Sequence, residues 1–466
     1  MTGEASASAP TVRGSSGPLR GRRRLFTAAL LVTSSLLHVE AAGGIAANDA
    51  LEEYVVRMRR ELHRVPETCY EEHETSKIVL RELRGLDGVE VLAAGVASTG
   101  VVARVGSGAA PVVILRADID GLPIHERPPA NLPEAFAPAP STHPGRSHAC
   151  GHDGHAAMLL GAAKLLTASA DVETRRGTVL LVFQPAEEGQ GGMERMLREG
   201  ALLADAKTFG PRASSAFALH IWPYPYAPTG TVLGKPGPIM VASAAFRFVV
   251  KGRGGHAAIP NENVDAVLTL STIVAALQSI VSRETSPRAS AVVSVTTLNA
   301  GGVFNVLPDE ATAAGTFFAL SDADFARVKR RIEDVVMGIA AAHGCNATID
   351  FRPDGRVPYP VTANDPEAWR TFRAAAAEVV GNDAVRECDT VMTGEDFGFL
   401  AREVPSNYAL LGAYNPSVGA THALHSPEYV MDESVLAVGA RIHAAVARRA
   451  LSISAEEAKG AGRSEL

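Results

Sequence analysis

The amino-acid sequence predicts an α/β protein with a mixed, mostly parallel sheet and an inserted α+β domain. Three short apolar runs, separated by helical stretches, are typical of buried parallel strands; they are Pro111–Asp118, Thr178–Glu188 and Ser214–His220. Downstream, residues 242–351 follow the strand–helix–strand–strand–helix–strand order of ferredoxin-like domains. A chain of 466 residues also exceeds one ordinary domain, so two are expected.

The insertion interrupts a main domain, and a short segment flanks each end of the chain. The predicted segments are residues 1–47 for targeting, 48–236 and 352–452 for the main domain, 237–351 for the inserted domain and 453–466 for a tail. Glycine and proline in Gly234–Pro238 and in Arg352–Asp354 mark the two crossings between the domains and suit a hinge.

The N-terminus has the order of a secretory signal peptide. Arg20–Arg24 is basic, Leu25–Leu37 is apolar and Val39–Ala42 ends in small residues. An Arg- and Ser-rich organelle transit peptide is the alternative. The apolar run is shorter than the ~20 residues that span a bilayer, so no stable membrane span is expected. The C-terminal Arg463–Leu466 resembles the Lys-Asp-Glu-Leu signal and favours the lumen of the endoplasmic reticulum, unless the match is due to chance.

Composition argues against nucleic-acid binding and against a disulfide framework. The chain is 46% hydrophobic and 20% charged, which is typical of globular proteins. Its formal net charge is −7 and no long basic patch lies beyond the N-terminus, so nucleic acid is not an expected partner. The cysteines are widely scattered and form no Cys-x-x-Cys motif.

Residues that bind metals or move protons follow the predicted strands. In open α/β sheets, ligands bind beyond the carboxyl ends of the strands. The side chains expected to face one crevice are therefore Asp118, Glu187, Glu188 and His220, with Cys150 and His152 on the loop between the first two strands. This is the outline of a two-metal hydrolase site.

The segment His148–His155 reads His-Ala-Cys-Gly-His-Asp-Gly-His and is the densest cluster of metal-binding residue types in the chain. A thiolate and an imidazole together suit zinc, manganese, cobalt or nickel better than magnesium or calcium. The alternative is a helix start capped by Asp153, with the histidines incidental.

Two carboxylates stand side by side in Pro185–Gly189. Adjacent side chains on an extended segment diverge, so one can bind metal while the other acts as a base. A solvated acidic turn is the alternative. After the first strand, a carboxylate from Asp118 or Asp120 is placed to orient a ligating histidine, unless it only forms a turn.

Three further histidines carry less information by themselves. His220 and His425 are each isolated, and His422 competes with His425. His256, in the glycine-rich segment Gly252–Ala258, can reach a crevice as a hydrogen-bond donor to a transition state. A plain glycine-rich turn is the favoured interpretation of that segment when it is taken alone.

Together these motifs resemble the metal-dependent amidohydrolase branch of the carboxypeptidase G–aminoacylase metallopeptidase family. This branch includes hippurate hydrolases, N-acyl-amino-acid hydrolases and auxin-conjugate hydrolases. The motifs run in the family's order over much of the chain and form a highly specific set. They are Arg116–Asp120, His148–His155, Phe183–Gly189, Ala218–His220, Gly254–Ala258, Asn305–Pro308, Gly394–Phe397 and His425–Pro427.

The resemblance implies a role for each matched residue. The metal ligands would be Cys150, His152, Glu188, His220 and His425. Glu187 would be the general base and later the acid, with Asp118 as a further catalytic residue. His256 would stabilise the oxyanion, in some relatives from a partner subunit, and Asn305 would contact the substrate. Phe318 stands where the family often has Arg, which leaves substrate specificity open.

The resemblance implies a hydrolase of the amide bond in N-acyl amino acids that uses two divalent metal ions, Mn²⁺ or Zn²⁺, with Co²⁺ or Ni²⁺ as alternatives. Indole-3-acetyl (auxin) amino acid conjugates are the leading substrates; a general aminoacylase, a dipeptidase or a hippurate hydrolase is the alternative. The inserted domain would act as a lid and as the contact of a homodimer. A non-catalytic ligand-binding protein is the remote alternative, and the intact Glu187–Glu188 pair argues against it.

Overall fold

The computed structural model describes residues 44–129, 132, 140–167, 174, 177–200, 202, 211–223 and 227–464. The predicted targeting segment up to residue 43 and the end of the predicted retention signal, residues 465–466, lie outside these ranges. Residues from Ala46 onward form one compact unit, so the domain boundaries at 237 and 351 stay predictions.

Within these ranges the main chain forms sixteen strands and nine α-helices. The strands are β1 Val89–Val96, β2 Gly100–Gly106, β3 Val112–Asp118, β4 Thr178–Gln184, β5 Ser215–Trp222, β6 Val232–Gly234, β7 Gly237–Met240, β8 Ala242–Lys251, β9 Gly255–His256, β10 Ala291–Ala300, β11 Val306–Leu307, β12 Glu310–Ala319, β13 Asn346–Asp350, β14 Thr362–Asn364, β15 Val385–Glu387 and β16 Ser406–Gly412. The helices are α1 Gly44–His63, α2 His73–Arg84, α3 His152–Leu166, α4 Gly192–Arg198, α5 Ala266–Ser279, α6 Asp322–Ala342, α7 Pro366–Val380, α8 Phe397–Ala401 and α9 Val435–Ser464.

The main sheet has eight strands in the order β1-β2-β4-β3-β5-β16-β6-β15. Its four central strands, β4, β3, β5 and β16, are parallel to one another. Both β3 and β4 are buried along their whole length, because a parallel sheet is covered on both faces. This explains why the apolar runs in the sequence show no alternation. The predicted mixed, mostly parallel α/β fold is confirmed.

Residues 242–350, which we call the insert, form a four-stranded antiparallel sheet in the order β10-β12-β8-β13. With α5 and α6, the order of elements is the βαββαβ order expected from the sequence. Phe246, Phe248 and Phe317 of the sheet pack with Leu270 of α5 and Ile332 of α6. The insert therefore has its own hydrophobic core.

One helical stretch among the described residues, Ala266–Glu284, is long and apolar enough to cross a membrane, with a mean hydropathy of 1.5. It consists of α5 and the turn that follows. Its Leu270, Ile273 and Leu277 are buried in the core of the insert. These apolar residues are therefore used in packing within the insert.

The two crossings into and out of the insert are more ordered than the sequence predicts. The predicted linker Gly234–Pro238 overlaps two strands, because it includes the end of β6 and the start of β7, and β7 pairs with β14. Ser243 and Tyr359 exchange two backbone hydrogen bonds, of 3.1 and 2.8 Å. The chain that enters the insert is thus bonded to the chain that leaves it.

Candidate active site

The carboxyl ends of the parallel strands deliver three parts of the candidate site. β3 ends at Asp118, β4 ends at Gln184 just before the Glu187–Glu188 pair, and β5 carries His220 near its end. Because β3 lies between β4 and β5 and all three are parallel, these ends meet at one edge of the sheet. This is the arrangement expected from the sequence.

A left-handed turn at Gly151, with φ of 86°, separates Cys150 from His152. A Cβ at Gly151 would lie 2.6 Å from the hydroxyl oxygen of Tyr429, so the close approach requires glycine. The sequence predicts that His152 lies on a loop, but α3 begins at this residue. The first turn of the helix therefore holds His152 at the sheet edge, while Cys150 lies on the turn before it.

The five expected metal ligands lie together in the structure. Sγ of Cys150 is 3.5 Å from Nε2 of His220, and Nε2 of His425 is 3.1 Å from Oε1 of Glu188. Ligand atoms within 4.8 Å of one another form the overlapping sets Cys150–His152–His220, Cys150–Glu188–His425 and His152–Glu187–Glu188. Because the sets share members, they form one cluster, which has donors for two neighbouring ions.

His425 reaches the cluster from the C-terminal part of the chain. Its φ of 62° is a left-handed conformation that residues other than glycine rarely adopt, and such strain is common at functional sites. Its backbone N–H donates to the carbonyl oxygen of Ala149 at 2.8 Å, next to Cys150. His422 instead pairs with Glu428, with Nε2 and Oε2 3.2 Å apart. Of the two histidines, His425 is the one that lies in the cluster.

Hydrogen bonds fix which ring nitrogen of each buried histidine faces the cluster. Nδ1 of His220 donates to the carbonyl oxygen of Ile221 at 2.8 Å, which leaves its Nε2 beside Cys150. Nδ1 of His152 contacts Oδ1 of Asp120 at 3.1 Å. Nε2 of His152 is buried and has no hydrogen-bond partner in the described part of the chain, which is costly unless an ion binds it. The thiol, imidazole and carboxylate donors fit a borderline divalent metal such as zinc or manganese.

Asp118 makes its histidine hydrogen bond to His155, which is not among the expected metal ligands. Nε2 of His155 accepts a backbone N–H of β5 at 2.8 Å, so the ring proton is on Nδ1. Nδ1 of His155 therefore donates to Oδ1 of Asp118 at 2.5 Å. Its Oδ2 accepts from Arg116 at 2.7 Å and lies 3.7 Å from Nε2 of His152. Asp120, rather than Asp118, makes the hydrogen bond that orients His152.

The sequence predicts no role for Glu395 and Asp396, and the structure places both beside Glu187. Oxygens of the three carboxylates lie within 4.8 Å of one another. Nη2 of Arg116 donates to Glu395 at 2.9 Å and to Asp396 at 3.1 Å. The signal lay in the Gly394–Phe397 motif, but Asp396 is 209 residues from Glu187 in the chain, so no local pattern connects them.

Burial and neighbouring carboxylates control protonation in the cluster. Burial, together with Glu395 and Glu188, raises the pKa of Glu187 well above its usual range. Burial alone would lower the pKa of His152, but Asp118 and Asp120 outweigh it and raise this pKa to about 10. Both shifts reflect a surplus of negative charge, which a bound cation would neutralise.

A cavity of about 380 Å³ opens on the cluster. Part of its wall is the cluster itself, namely Cys150, Glu187, Glu188, His220 and His425. Another part is largely apolar and includes Trp222, Met240 and Leu424. A cleft that combines an apolar wall with a few convergent polar groups is typical of a small-molecule site.

His256 and Asn305 do not line this cavity, and their expected roles stay predictions. Both are exposed on the insert and lie close together, because His256 of β9 pairs with Val306 of β11. Nδ1 of His256 accepts the backbone N–H of Ala258 at 3.1 Å, which puts the ring proton on Nε2. The histidine therefore has the N–H donor that an oxyanion-stabilising group needs.

A mostly parallel α/β sheet that holds thiol, imidazole and carboxylate donors at its strand ends defines the class of metal-dependent hydrolases. The chain belongs to peptidase family M20/M25/M40, whose sequence model matches residues 114–449. The chain is 39% identical over 410 residues to IAA-amino acid hydrolase ILR1-like 2 of Arabidopsis thaliana, which is 88% of each protein. It is 35% identical over 405 residues to N-acetylcysteine deacetylase of Bacillus subtilis, covering 86% of this chain and 98% of that protein.

A solved structure shows the same fold. The crystal structure of the YXEP protein of Bacillus subtilis, described as a dinuclear metal binding peptidase from the M20 family, superposes with a TM-score of 0.68 at 32% identity. The match covers 87% of this chain and 99% of that one. The predicted family and enzyme class, a metallopeptidase-type amidohydrolase, are confirmed.

Proposed function

We propose that this chain hydrolyses the amide bond of N-acyl amino acids, with indole-3-acetyl amino acid conjugates as the leading substrates. The observation that carries the proposal is the Glu187–Glu188 pair, which joins the metal-binding cluster and lines the cavity. A binding protein would need the donors but not a second carboxylate beside them. The names of two relatives, an IAA-amino acid hydrolase and an N-acetylcysteine deacetylase, support the same substrate class.

The cluster would take two divalent metal ions, Mn²⁺ or Zn²⁺, with Co²⁺ or Ni²⁺ as alternatives. The ligands would be Cys150, His152, Glu188, His220 and His425. Bound metal ions supply Lewis acidity, which polarises a carbonyl oxygen and lowers the pKa of a water molecule. The dinuclear YXEP protein supports the number of ions.

Glu187 would move the proton. Its carboxylate takes a proton from the attacking water and gives it to the nitrogen of the departing amino acid. Oε1 of Glu187 lies 3.4 Å from the backbone N of Asp396, a contact that orients the carboxylate. The neighbouring Glu188 would remain a metal ligand throughout.

The apolar wall of Trp222, Met240 and Leu424 suits an aromatic acyl group such as indole-3-acetyl. His256 and Asn305 would act from the insert as a lid. Because neither lines the cavity, closure of the insert or a second subunit must bring them there. Phe304, next to Asn305, is 110% exposed, and such an apolar tip is a surface that a homodimer would bury.

Two further proposals concern alternatives and location. The deacetylase relative favours a shorter acyl group, so an aminoacylase, dipeptidase or hippurate hydrolase is the second candidate. From the basic and apolar order of Arg20–Leu37, we propose entry into the secretory pathway and residence in the endoplasmic reticulum, with an organelle transit peptide as the alternative. Imaging of a fluorescent fusion with and without residues 1–47 tests the location.

An activity screen tests the function. Protein loaded with Mn²⁺ or Zn²⁺ is incubated with indole-3-acetyl-Ala, indole-3-acetyl-Leu, N-acetyl amino acids and hippurate, and the released amino acid is measured. We expect the highest kcat/KM for an indole-3-acetyl conjugate. Strong chelation should abolish this activity, and Mn²⁺, Zn²⁺ or Co²⁺ should restore it. Full activity in metal-free protein, or none towards any N-acyl amino acid, would contradict the proposal.

A further inference from the structure

Two cavities meet at the Glu187–Glu188 pair. The first, which we call the apolar cavity, is the 380 Å³ space lined by Trp222, Met240 and Leu424. The second, which we call the insert cavity, has a volume of about 310 Å³ and is lined in part by Ser243, Thr316 and Phe318 of the insert. The residues that line both are Glu187, Glu188, Thr393, Gly394 and His425. A substrate bound across this junction would place one end in each cavity.

The two cavities differ in charge. Among the described residues that line them, Arg356 is the only lysine or arginine, and it lines the insert cavity. Glu187 and Glu188 line both cavities, and Glu395 lines the apolar cavity. The presence of Arg356 is therefore the difference in charge that would attract an anionic group of a substrate to the insert cavity.

Arg356 is positioned close to the reacting groups. A Cβ on Gly189, directly after Glu188, would lie 2.6 Å from Nη1 of Arg356, so the guanidinium lies over this turn. Both oxygens of the nearby Asp354 accept from Arg247, at 3.0 and 2.6 Å, so Asp354 interacts with Arg356 electrostatically but without a hydrogen bond. The side chain of Arg356 is exposed and makes no ion pair or hydrogen bond within the described chain. Its donors are available to a ligand.

We propose that Arg356 binds the free carboxylate of the amino-acid part of the substrate, while the acyl group occupies the apolar cavity. This inference rests on the proposed function, because an N-acyl amino acid carries one carboxylate at one end and an uncharged acyl group at the other. A guanidinium matches a carboxylate with two parallel hydrogen bonds. The amide bond between the two ends then lies at the residues shared by both cavities, beside Glu187.

Phe318 strengthens the dependence on Arg356. This phenylalanine faces the insert cavity and contributes no charge. The other insert residues in the wall, including Ser243 and Thr316, are neutral as well. Among the described lining residues, Arg356 is thus the one arginine or lysine that can pair with a carboxylate in this cavity, and a single substitution tests it.

The experiment compares two substrates that differ only in the carboxylate. Arg356→Gln is assayed with an N-acyl amino acid and with the corresponding N-acyl amino-acid amide, and the released acyl acid is measured for both. For the acid, kcat/KM should fall by roughly 10- to 100-fold, mainly through KM, which is the range for a hydrogen bond to a charged group. For the amide, the change should stay below about 3-fold on the same scale. Equal losses for both substrates would overturn the assignment.

Arg352→Gln is the matched control. Arg352 is also exposed, but it pairs with Glu194 at 3.2 Å and lines neither cavity. Its substitution should leave both substrates unaffected. If Arg352→Gln loses as much preference for the acid over the amide as Arg356→Gln does, the effect is one of general charge. That result would contradict a specific contact with Arg356.

A binding measurement separates this inference from the proposed function. Metal-loaded Glu187→Gln protein, with and without Arg356→Gln, is titrated calorimetrically with an N-acyl amino acid and with its amide. When Arg356 is replaced, we expect binding of the acid, but not of the amide, to become weaker. If this binding pattern occurs but the wild-type enzyme hydrolyses no N-acyl amino acid, the carboxylate site stands and the proposed function fails. If affinity for the acid does not depend on Arg356, the inference is wrong.

Discussion

Asp120 orients His152 through a hydrogen bond of 3.1 Å between Oδ1 and Nδ1, and its other oxygen accepts the backbone N–H of Glu188 at 3.0 Å. One carboxylate thus positions two of the proposed metal ligands. Such a contact fixes the tautomer of the imidazole and directs Nε2 at the ion. The sequence offers Asp118 and Asp120 as alternatives for this role, and Asp120 is the residue with this geometry.

Replacing Asp120 should therefore weaken metal binding. In Asp120→Ala we expect metal affinity to fall by about 10- to 100-fold, because His152 loses the partner that holds its ring. Competition with a chromophoric chelator measures this change. Glu71→Ala is a suitable control, since Glu71 is an exposed acid that pairs with Arg146 at 2.8 Å. Unchanged affinity in Asp120→Ala would show that the hydrogen bond is incidental to metal binding.

The adjacent glutamates should respond differently to the same substitution. Glu187→Gln removes a proton carrier and should lower turnover by about 100- to 10,000-fold with both metals retained. Glu188→Gln replaces a charged ligand and should lower metal content. Elemental analysis combined with steady-state kinetics distinguishes the two effects. Loss of metal in Glu187→Gln but not in Glu188→Gln would mean that the roles are reversed.

The strand-end residues of this site could be predicted because the sequence pattern that marks them is local. An apolar run followed by Asp118, by Glu187–Glu188 or by His220 is visible within a few residues, and the parallel sheet brings the three ends together. The helices and strands of the insert are equally visible in local sequence patterns. Periodicity and turn residues specify them without any long-range contact.

The remaining parts of the site depend on tertiary contacts that a sequence pattern does not contain. His152 begins a helix because Gly151 takes a left-handed turn against Tyr429. His425, and not His422, lies in the cluster, where its backbone N–H donates to the carbonyl oxygen of Ala149. The two segments that connect the insert to the rest of the chain have the composition of free linkers. They nevertheless pair with each other through β7 and β14, and the paired residues are more than a hundred positions apart in the sequence.

Arg116 should be important for stability as well as for the site. It is 1% exposed and contacts Asp118, Glu395 and Asp396. Arg116→Met leaves buried carboxylates without their counterion, so we expect the free energy of unfolding to fall by about 3–5 kcal/mol. Urea denaturation followed by circular dichroism measures the change.

Arg104→Met is the control for Arg116. Arg104 pairs across β1 and β2 with Glu90, at 2.6 Å, where the carboxylate side chain is 60% exposed. Surface pairs of this kind contribute at most about 1 kcal/mol, so this variant should be nearly as stable as the wild type. Similar stabilities for the two variants would show that the buried acids rearrange or take up protons when Arg116 is absent.

The position of His256 makes the lid mechanism testable. The residue is exposed on the insert and lies outside the cavity, and its ring proton is on Nε2. If closure or a second subunit brings this N–H to the oxyanion, His256→Ala should lower turnover by about 100- to 1000-fold. Metal content should not change, and substrate affinity should fall only modestly, since the contact forms with the transition state.

His343→Ala is the matched control for this variant. His343 is another exposed histidine of the insert, and its Nδ1 contacts the hydroxyl of Thr269 at 3.2 Å, on the side of α5. Its substitution should leave turnover near the wild-type value. Kinetics and elemental analysis of both variants decide the role of His256. Near-normal turnover in His256→Ala would mean that the histidine only fills a glycine-rich turn and that the oxyanion is stabilised by other groups.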